Sequence, residues 1–240
     1  MALPELEKKL LVLSPHLDDA VLSCADLIAQ HPGSVVATVF AGIPAHSQLL
    51  TDWDEASGFE NAQQAVSLRR QEDSKALALL SAAPRWLDFF DSQYQVTPSM
   101  DVLADVVGRL MDDIGPATVL LPAGLFHSDH VLVHQAMLAV REHYREKTWL
   151  MYEEANYRRI RGLLQQRLAG LHRAGIDATP LMVNQKKDTA SLKRQAVRCY
   201  ASQLRALQST VNDGYADVFS PERYWALDSA APANPEKQNP

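Results

Sequence analysis

An α/β domain built on a mostly parallel sheet is the architecture that this 240-residue sequence predicts, and three observations point to it. Short, continuous apolar runs alternate with stretches of helical spacing along most of the chain. The runs lack the polar alternation of half-exposed strands, as expected of strands covered on both faces. Glycine and proline bound several of the segments, as at Pro32-Gly33, Gly42, Pro84 and Gly115-Pro116. The 47% hydrophobic and 22% charged composition is that of an ordinary globular protein, long enough for one domain with a substantial core.

LLVLS (10–14) reads as the first strand, and AVLSCADLIAQ (20–30) as a helix stopped at His31-Pro32-Gly33. SVVATVFAG (34–42) is the next strand. The polar stretch 43–62 has weak periodicity and reads as a long functional or mobile loop, carrying Trp53 and Phe59. Those aromatics either stack on a ligand or pin the loop to the domain. A helix over 63–83 is closed by Pro84, and WLDFF (86–90) follows as a strand. A helix over 99–115 ends at Gly115-Pro116. TVLLPAG (118–124) is a strand and 128–144 a helix; TWLMYEE (148–154) is a strand and 157–175 a basic helix. PLMVN (180–184) as a strand and 187–208 as one helix complete the series. One domain is expected over 1–227, with residues 228–240 a disordered, Pro-rich polar tail.

The N-terminal MALPELEKKL lacks the apolar core of a signal peptide, and no run approaches the roughly 18 apolar residues of a membrane span. A cytoplasmic location without an integral membrane segment is therefore expected. The two cysteines, Cys24 and Cys199, fall in helical patterns and read as buried free thiols. A net charge of −6 argues against a nucleic-acid partner. Residues 157–208 nonetheless hold 11 Lys/Arg against Asp177 and Asp188, a local +9 that leaves −15 on the remainder. This is either a solvated helix face or a cationic surface for an anionic substrate.

The first strand runs straight into His16, Asp18 and Asp19, at the carboxyl end where open α/β sheets bind ligands. No glycine-rich phosphate loop follows it, which disfavours a dinucleotide site. Adjacent carboxylates repel unless a cation lies between them. With oxygen ligands alone the cation could be Mg²⁺, as in phosphate-handling domains; the imidazole of His16 favours zinc or a similar metal. Asp19 as a helix N-cap with His16 a bystander is the plainer alternative. A second cluster, FHSDHVLVH (126–134), also follows an apolar strand and opens a helix, offering His127, Asp129, His130 and His134. Two such clusters past two strand ends point jointly to a metal site.

SPHLDDAVLSC resembles the AHPDDE-type motif of the PIG-L/LmbE-like zinc-dependent N-acetylglucosaminyl deacetylases, and FHSDH resembles that family's HPDH-type motif. RRQEDSKALALLSA is similar to its R-x-x-E helix at Arg69 and Glu72. WLDFFDSQY is similar to its next strand and acidic turn at Asp91, and KRQAVRCYASQ to a late helix of one branch. Leu17 and Ser128 stand where the motifs carry proline, and Ala20 where the first carries an acid.

The resemblance implies a single Rossmann-like three-layer domain with its active site at the strand C-terminal ends. It implies zinc, or another divalent transition metal, held by His16, Asp19 and His130. Asp18 would be the general base, and His127 the group that stabilises the oxyanion or protonates the amine. Arg69 and Asp91 would hold sugar hydroxyls, and Asp129 would orient a histidine. The implied activity is hydrolysis of the N-acetyl amide of an N-acetylglucosamine-type sugar conjugate. A non-catalytic sugar-binding protein and a Mg²⁺-dependent phosphate-handling protein are the alternatives. Outside the matched positions, His134 reads as packing, His46 lies on the long loop, and Glu153 and Glu154 either line the pocket or cap the next helix.

Overall fold

The computed structural model describes residues 9–44, 49–183, 186–209 and 217–229. Seven strands form one sheet: β1 (Leu10–Ser14), β2 (Val35–Thr38), β3 (Ala83–Trp86), β4 (Thr118–Pro122), β5 (Thr148–Tyr152), β6 (Ile176–Leu181) and β7 (Tyr224–Ser229). Their spatial order is β3-β2-β1-β4-β5-β7-β6. The first five strands run parallel, while β7 is antiparallel to both β5 and β6. The helices are α1 (Asp19–Gln30), α2 (Asp52–Ser57), α3 (Ala62–Leu79), α4 (Met100–Ile114), α5 (Ser128–Arg141), α6 (Leu163–Arg173), α7 (Lys187–Arg198) and α8 (Ala201–Ser209).

Successive side chains of a strand point to opposite faces, and here each face meets its own helices. Leu10 and Val12 of β1 join Leu120, Leu150, α1, the end of α3 and α7 in one core. Leu11 and Leu13 join Val119, Leu121, Met151, α4, α5 and α6 in the other. The result is the expected three-layer α/β domain. Both faces of β1 and β4 are fully covered, which is why those runs show no polar alternation.

Several boundaries differ from the sequence reading. The third strand is Ala83–Trp86 rather than 86–90, with Val36 opposite Pro84. Pro84 is tolerated because β3 is an edge strand, where a missing N–H breaks no ladder bond. β6 likewise lies at Ile176–Leu181 rather than 180–184, with Pro180 on the opposite edge. The basic helix begins only at Leu163, after turns and a left-handed Gly162 at φ 88°. The reading of 187–208 as one helix is corrected to two. The chain breaks at Tyr200, which is fully buried and donates through its hydroxyl to Asp73 Oδ1 at 2.7 Å. The 43–62 loop contains α2, N-capped by Thr51 and ended by left-handed Gly58.

Asp228 and Ser229 belong to β7 rather than to a tail; positions 230–240 lie outside the described residues, as does His46. Cys24 is a buried free thiol as read, but Cys199 is only half-buried. Among the described residues, no helix is long and apolar enough to cross a membrane.

Candidate active site

β1 and β4 are neighbours at the centre of the sheet, with β2 entered on one side and β4 on the other. The loops leaving their carboxyl ends therefore meet in the crevice where such sheets bind ligands. After β1, Ser14 Oγ donates to His16 O at 2.7 Å and accepts from Ala20 N at 3.0 Å, so this serine caps the turn into α1. Asp19 does not cap the helix; its Oδ2 accepts from the His16 backbone N–H at 2.9 Å. After β4, Gly124 adopts φ +70°, and a Cβ there would lie 2.6 Å from His134 Cβ. Only glycine lets that loop pass. His127 then takes the N-cap of α5, its Nδ1 accepting from Asp129 N at 3.3 Å.

These turns bring three donor atoms from two loops together. His16 Nδ1 lies 3.2 Å from Asp19 Oδ2, His130 Nε2 lies 3.1 Å from the same oxygen, and the two ring nitrogens are 3.3 Å apart. Tetrahedral ligands at zinc–ligand lengths are separated by about 3.3 Å, so the triangle matches one face of such a site. The other ring nitrogens are occupied. His16 Nε2 bonds Asp129 Oδ2 at 3.0 Å, an oxygen that also accepts from Ser92 N. His130 Nδ1 faces Glu154 Oε1 at 3.3 Å, which also accepts from Gly124 N and Leu125 N. Each histidine is thus turned by an outer carboxylate, the arrangement that fixes the tautomer of a metal ligand. His16, His127 and Asp129 form a second group of converging donors. Its His127 Nδ1 and Asp129 Oδ2 already serve the helix cap and His16, so the first triangle is the better metal seat.

The electrostatics favour a cation at the triangle. Burial alone would lower the His130 imidazole, but the Asp19 carboxylate overrides it and raises the group to about 9. Asp19 itself is held well below the usual carboxylate range: burial opposes this, and His130 and His16 outweigh it. Asp18 behaves oppositely. Burial and the Asp19 charge push it up to about 7 against the pull of Arg69, and its carboxyl makes no hydrogen bond among the described residues. Burial and the nearby His16 and His130 lower the His127 imidazole, which keeps it neutral.

A cavity of about 200 Å³ opens over the triangle, lined by Asp18, Arg69, Asp91 and His127 among others. All seven residues singled out as site residues therefore meet in one place. Arg69 is 5% exposed, sits 3.9 Å from Asp91 Oδ2, and has a buried Nε without a hydrogen-bond partner. Asp91 accepts from both the backbone and the side chain of Gln93, whose Oε1 accepts from Thr51 Oγ1 at the start of α2. His134, as read, is packing: it is fully buried and bonds Pro122 O at 2.8 Å.

The sequence reading did not place Gln93, Asn156, Tyr157, Gln203 or Leu207 in the wall. Nor did it assign Glu154 to His130; the Glu153-Glu154 pair at a strand end was the available signal. Both aromatics of the 43–62 segment are tied to the domain. Phe59 is buried and pins the segment, while Trp53 lines the cavity with its indole N–H given to Gln203 Oε1 at 3.0 Å. Glu72 accepts from Ser202 N and Oγ, so the Arg69-x-x-Glu72 spacing sends one side chain into the cavity and the other to the start of α8. The basic 157–208 region is partly structural. Arg158 and Arg159 hold Asp217, Arg167 holds Gly124 O, Lys193 pairs with buried Glu222, and Arg205 holds Ser57 O.

The family model described as PIG-L, GlcNAc-PI de-N-acetylase, matches residues 11–141. The chain belongs to the PIG-L family. The PIG-L match contains the whole triangle with Asp18, Arg69, Asp91 and His127, and it stops before Glu154, Tyr157 and Gln203. A comparison with curated proteins gives no match. Among solved structures, a teicoplanin deacetylase in its zinc-inhibited form is 25% identical, with a TM-score of 0.78 over 94% of this chain and 100% of that one. A deacetylase in complex with teicoplanin is 26% identical, with a TM-score of 0.74 over 92% and 98%. The 4-carboxy-2-hydroxymuconate hydratase of Pseudomonas putida shares the fold alone, at 18% identity and a TM-score of 0.55 over 97% and 100%. The PIG-L fold is thus also that of a hydratase, and the reaction has to be argued from the site.

Proposed function

We propose that this protein hydrolyses the N-acetyl amide of an N-acetylglucosamine-type sugar conjugate, releasing acetate and a free amine. The observation that carries the proposal is the donor triangle of His16 Nδ1, Asp19 Oδ2 and His130 Nε2, with an uncommitted Asp18 beside it. Membership of the PIG-L family and the similarity to teicoplanin deacetylases support the amide as substrate. His16, Asp19 and His130 would hold zinc or another divalent transition metal. When bound, such an ion supplies a Lewis acid that lowers the pKa of water to about 7 and polarises a carbonyl.

The chain's own groups divide the proton work. Asp18, pushed up to about 7, is matched to take a proton from the attacking water and hand it to the leaving nitrogen. His127 uses Nδ1 to cap α5, so its proton sits on Nε2. As a neutral N–H donor it steadies the carbonyl oxygen while that oxygen carries negative charge. Arg69 and Asp91 offer a cation and an acceptor on the same wall, suited to sugar hydroxyls. Asp129 and Glu154 hold the ligand histidines in place. We further propose a cytoplasmic, membrane-free enzyme, with the basic 157–208 surface receiving an anionic part of the conjugate; equal turnover of neutral and phosphorylated glycosides at low salt would refute that last point.

The test is metal content and amine release on N-acetylglucosaminides, measured on wild type, His16→Ala and His130→Ala. The expected result is one zinc per chain and amine release in wild type, both lost in the variants. Wild type that takes up no zinc on reconstitution, or that loads zinc and releases no amine from any N-acetyl sugar, would refute the reading. In the first case Mg²⁺-dependent phosphate handling returns; in the second, sugar binding without catalysis.

A further inference from the structure

We propose that Tyr157 is a catalytic residue: its hydroxyl donates a hydrogen bond to the amide carbonyl oxygen as that oxygen becomes negative, alongside the His127 N–H. This rests on the deacetylase reading above.

The first observation is placement. Tyr157 lines the same cavity as Asp18 and His127, and its ring stands edge-on to the His130 ring at 5.2 Å and 78°. The His127 ring approaches the same imidazole at 5.5 Å, so the two donors flank one ligand. The second observation is availability. The Trp53 indole donates to Gln203, and the Gln93 amide donates to Asp91 and accepts from Thr51. The Tyr157 hydroxyl, by contrast, has no hydrogen-bond partner among the described residues. Among the described residues it is the one hydroxyl in the wall, and the ionised carboxylates around it can only accept.

The third observation is Phe126, which immediately precedes His127. It holds φ +61° and is 65% exposed, two costs that a bulky aromatic rarely bears together. Its ring packs against Tyr157 at 5.5 Å. Strain of this kind persists where function fixes it, and here it places a prop behind the phenol. The other end of Tyr157 is also anchored, since its backbone N–H donates to Glu154 O at 3.1 Å. Glu154 in turn holds His130 and the Gly124–Leu125 turn. One rigid frame therefore carries both His127 and Tyr157. Phe126 is the positioning residue of that frame.

The chemistry is a hydrogen bond that strengthens and then relaxes. Water oxygen forms a bond to the acetyl carbon, and the carbonyl π pair moves onto oxygen; it returns as the C–N bond breaks and nitrogen takes the proton carried by Asp18. The phenol keeps its own proton throughout. Two donors on one developing oxyanion is the usual provision for acyl transfer. Tyr157 lies outside the segment matched by the family model, so this donor is a feature of this chain's β5–α6 connection.

The test uses zinc-loaded Tyr157→Phe, which removes only the hydroxyl and keeps the ring packing. Its kcat should fall about 10- to 100-fold, with KM and zinc content unchanged. A readout independent of turnover is calorimetric affinity for methylphosphonate, a tetrahedral anion, against planar acetate. Methylphosphonate should bind at least about tenfold more weakly to Tyr157→Phe, and acetate much less so. Phe126→Leu should share the kcat loss at unchanged KM. Equal methylphosphonate affinity in wild type and Tyr157→Phe overturns the proposal, as does a zinc-loaded wild type that binds no methylphosphonate. Wild type that shows the predicted methylphosphonate difference but deacetylates no N-acetyl sugar refutes the deacetylase reading, not the donor.

Discussion

His16 and His130 each give one ring nitrogen to an outer carboxylate and turn the other toward Asp19. Two substitutions separate holding the ion from using it. Glu154→Gln weakens the grip on His130, and zinc affinity should drop about 10- to 100-fold by competition with a chromophoric chelator. Asp18→Asn leaves the triangle intact; zinc content should be unchanged while turnover falls about 10²- to 10⁴-fold. At this scale the sequence was informative wherever the chemistry is local. His16, Asp18 and Asp19 fall within four positions, and His127, Asp129 and His130 within another four. Glu154 was not assigned because its bond to His130 spans a strand and a helix, and only the β4–β5 register brings it across.

Part of the cavity wall comes from α2 and α8, which pack against each other. α8 supplies Gln203 and Leu207, and it begins where Glu72 of α3 takes the Ser202 N–H and hydroxyl. Gln203 then holds Trp53 of α2, and Arg205 holds Ser57 O at that helix's end. Glu72→Ala frees the start of α8. Unfolding free energy should fall by about 2 kcal/mol in urea titrations, and KM should rise while zinc content stays the same. The break between α7 and α8 escaped the sequence reading because helical spacing runs through Tyr200. What breaks the helix is a partner on α3, Asp73, which no local pattern reveals. The misplaced β3 and β6 have a related cause. Proline reads as an interruption locally, and only the sheet order shows that both strands lie at edges.

For the molecule as a whole, the parallel alternation was plain in the sequence, whereas β7 was hidden by its place beside a polar tail. Stability should carry a signature of His134. Burial and the nearby Arg167 push its imidazole from an ordinary 6.5 down to about 3, so the folded protein keeps it neutral. Below pH 6.5 the unfolded chain takes up a proton that the fold refuses, and stability is lost as pH falls from there toward 3. Between pH 6.5 and 5 this costs about 2 kcal/mol. His134→Gln should flatten the pH dependence by that amount in denaturant titrations run with a chelator, which removes metal release from the comparison.

The strand order β5-β7-β6 sets the timing of biogenesis. β6 leaves the ribosome before β7, yet among the described residues β7 is its only neighbour in the sheet. A nascent chain that has already finished both halves of the His16–Asp19–His130 triangle still has an orphan strand and an open edge on β5. Until the last strand threads between them, another copy's β7 could pair there just as well. Chain ends clipped before Tyr224 should therefore yield aggregates or strand-exchanged dimers, and slowed translation near the 3′ end should be better tolerated than early release.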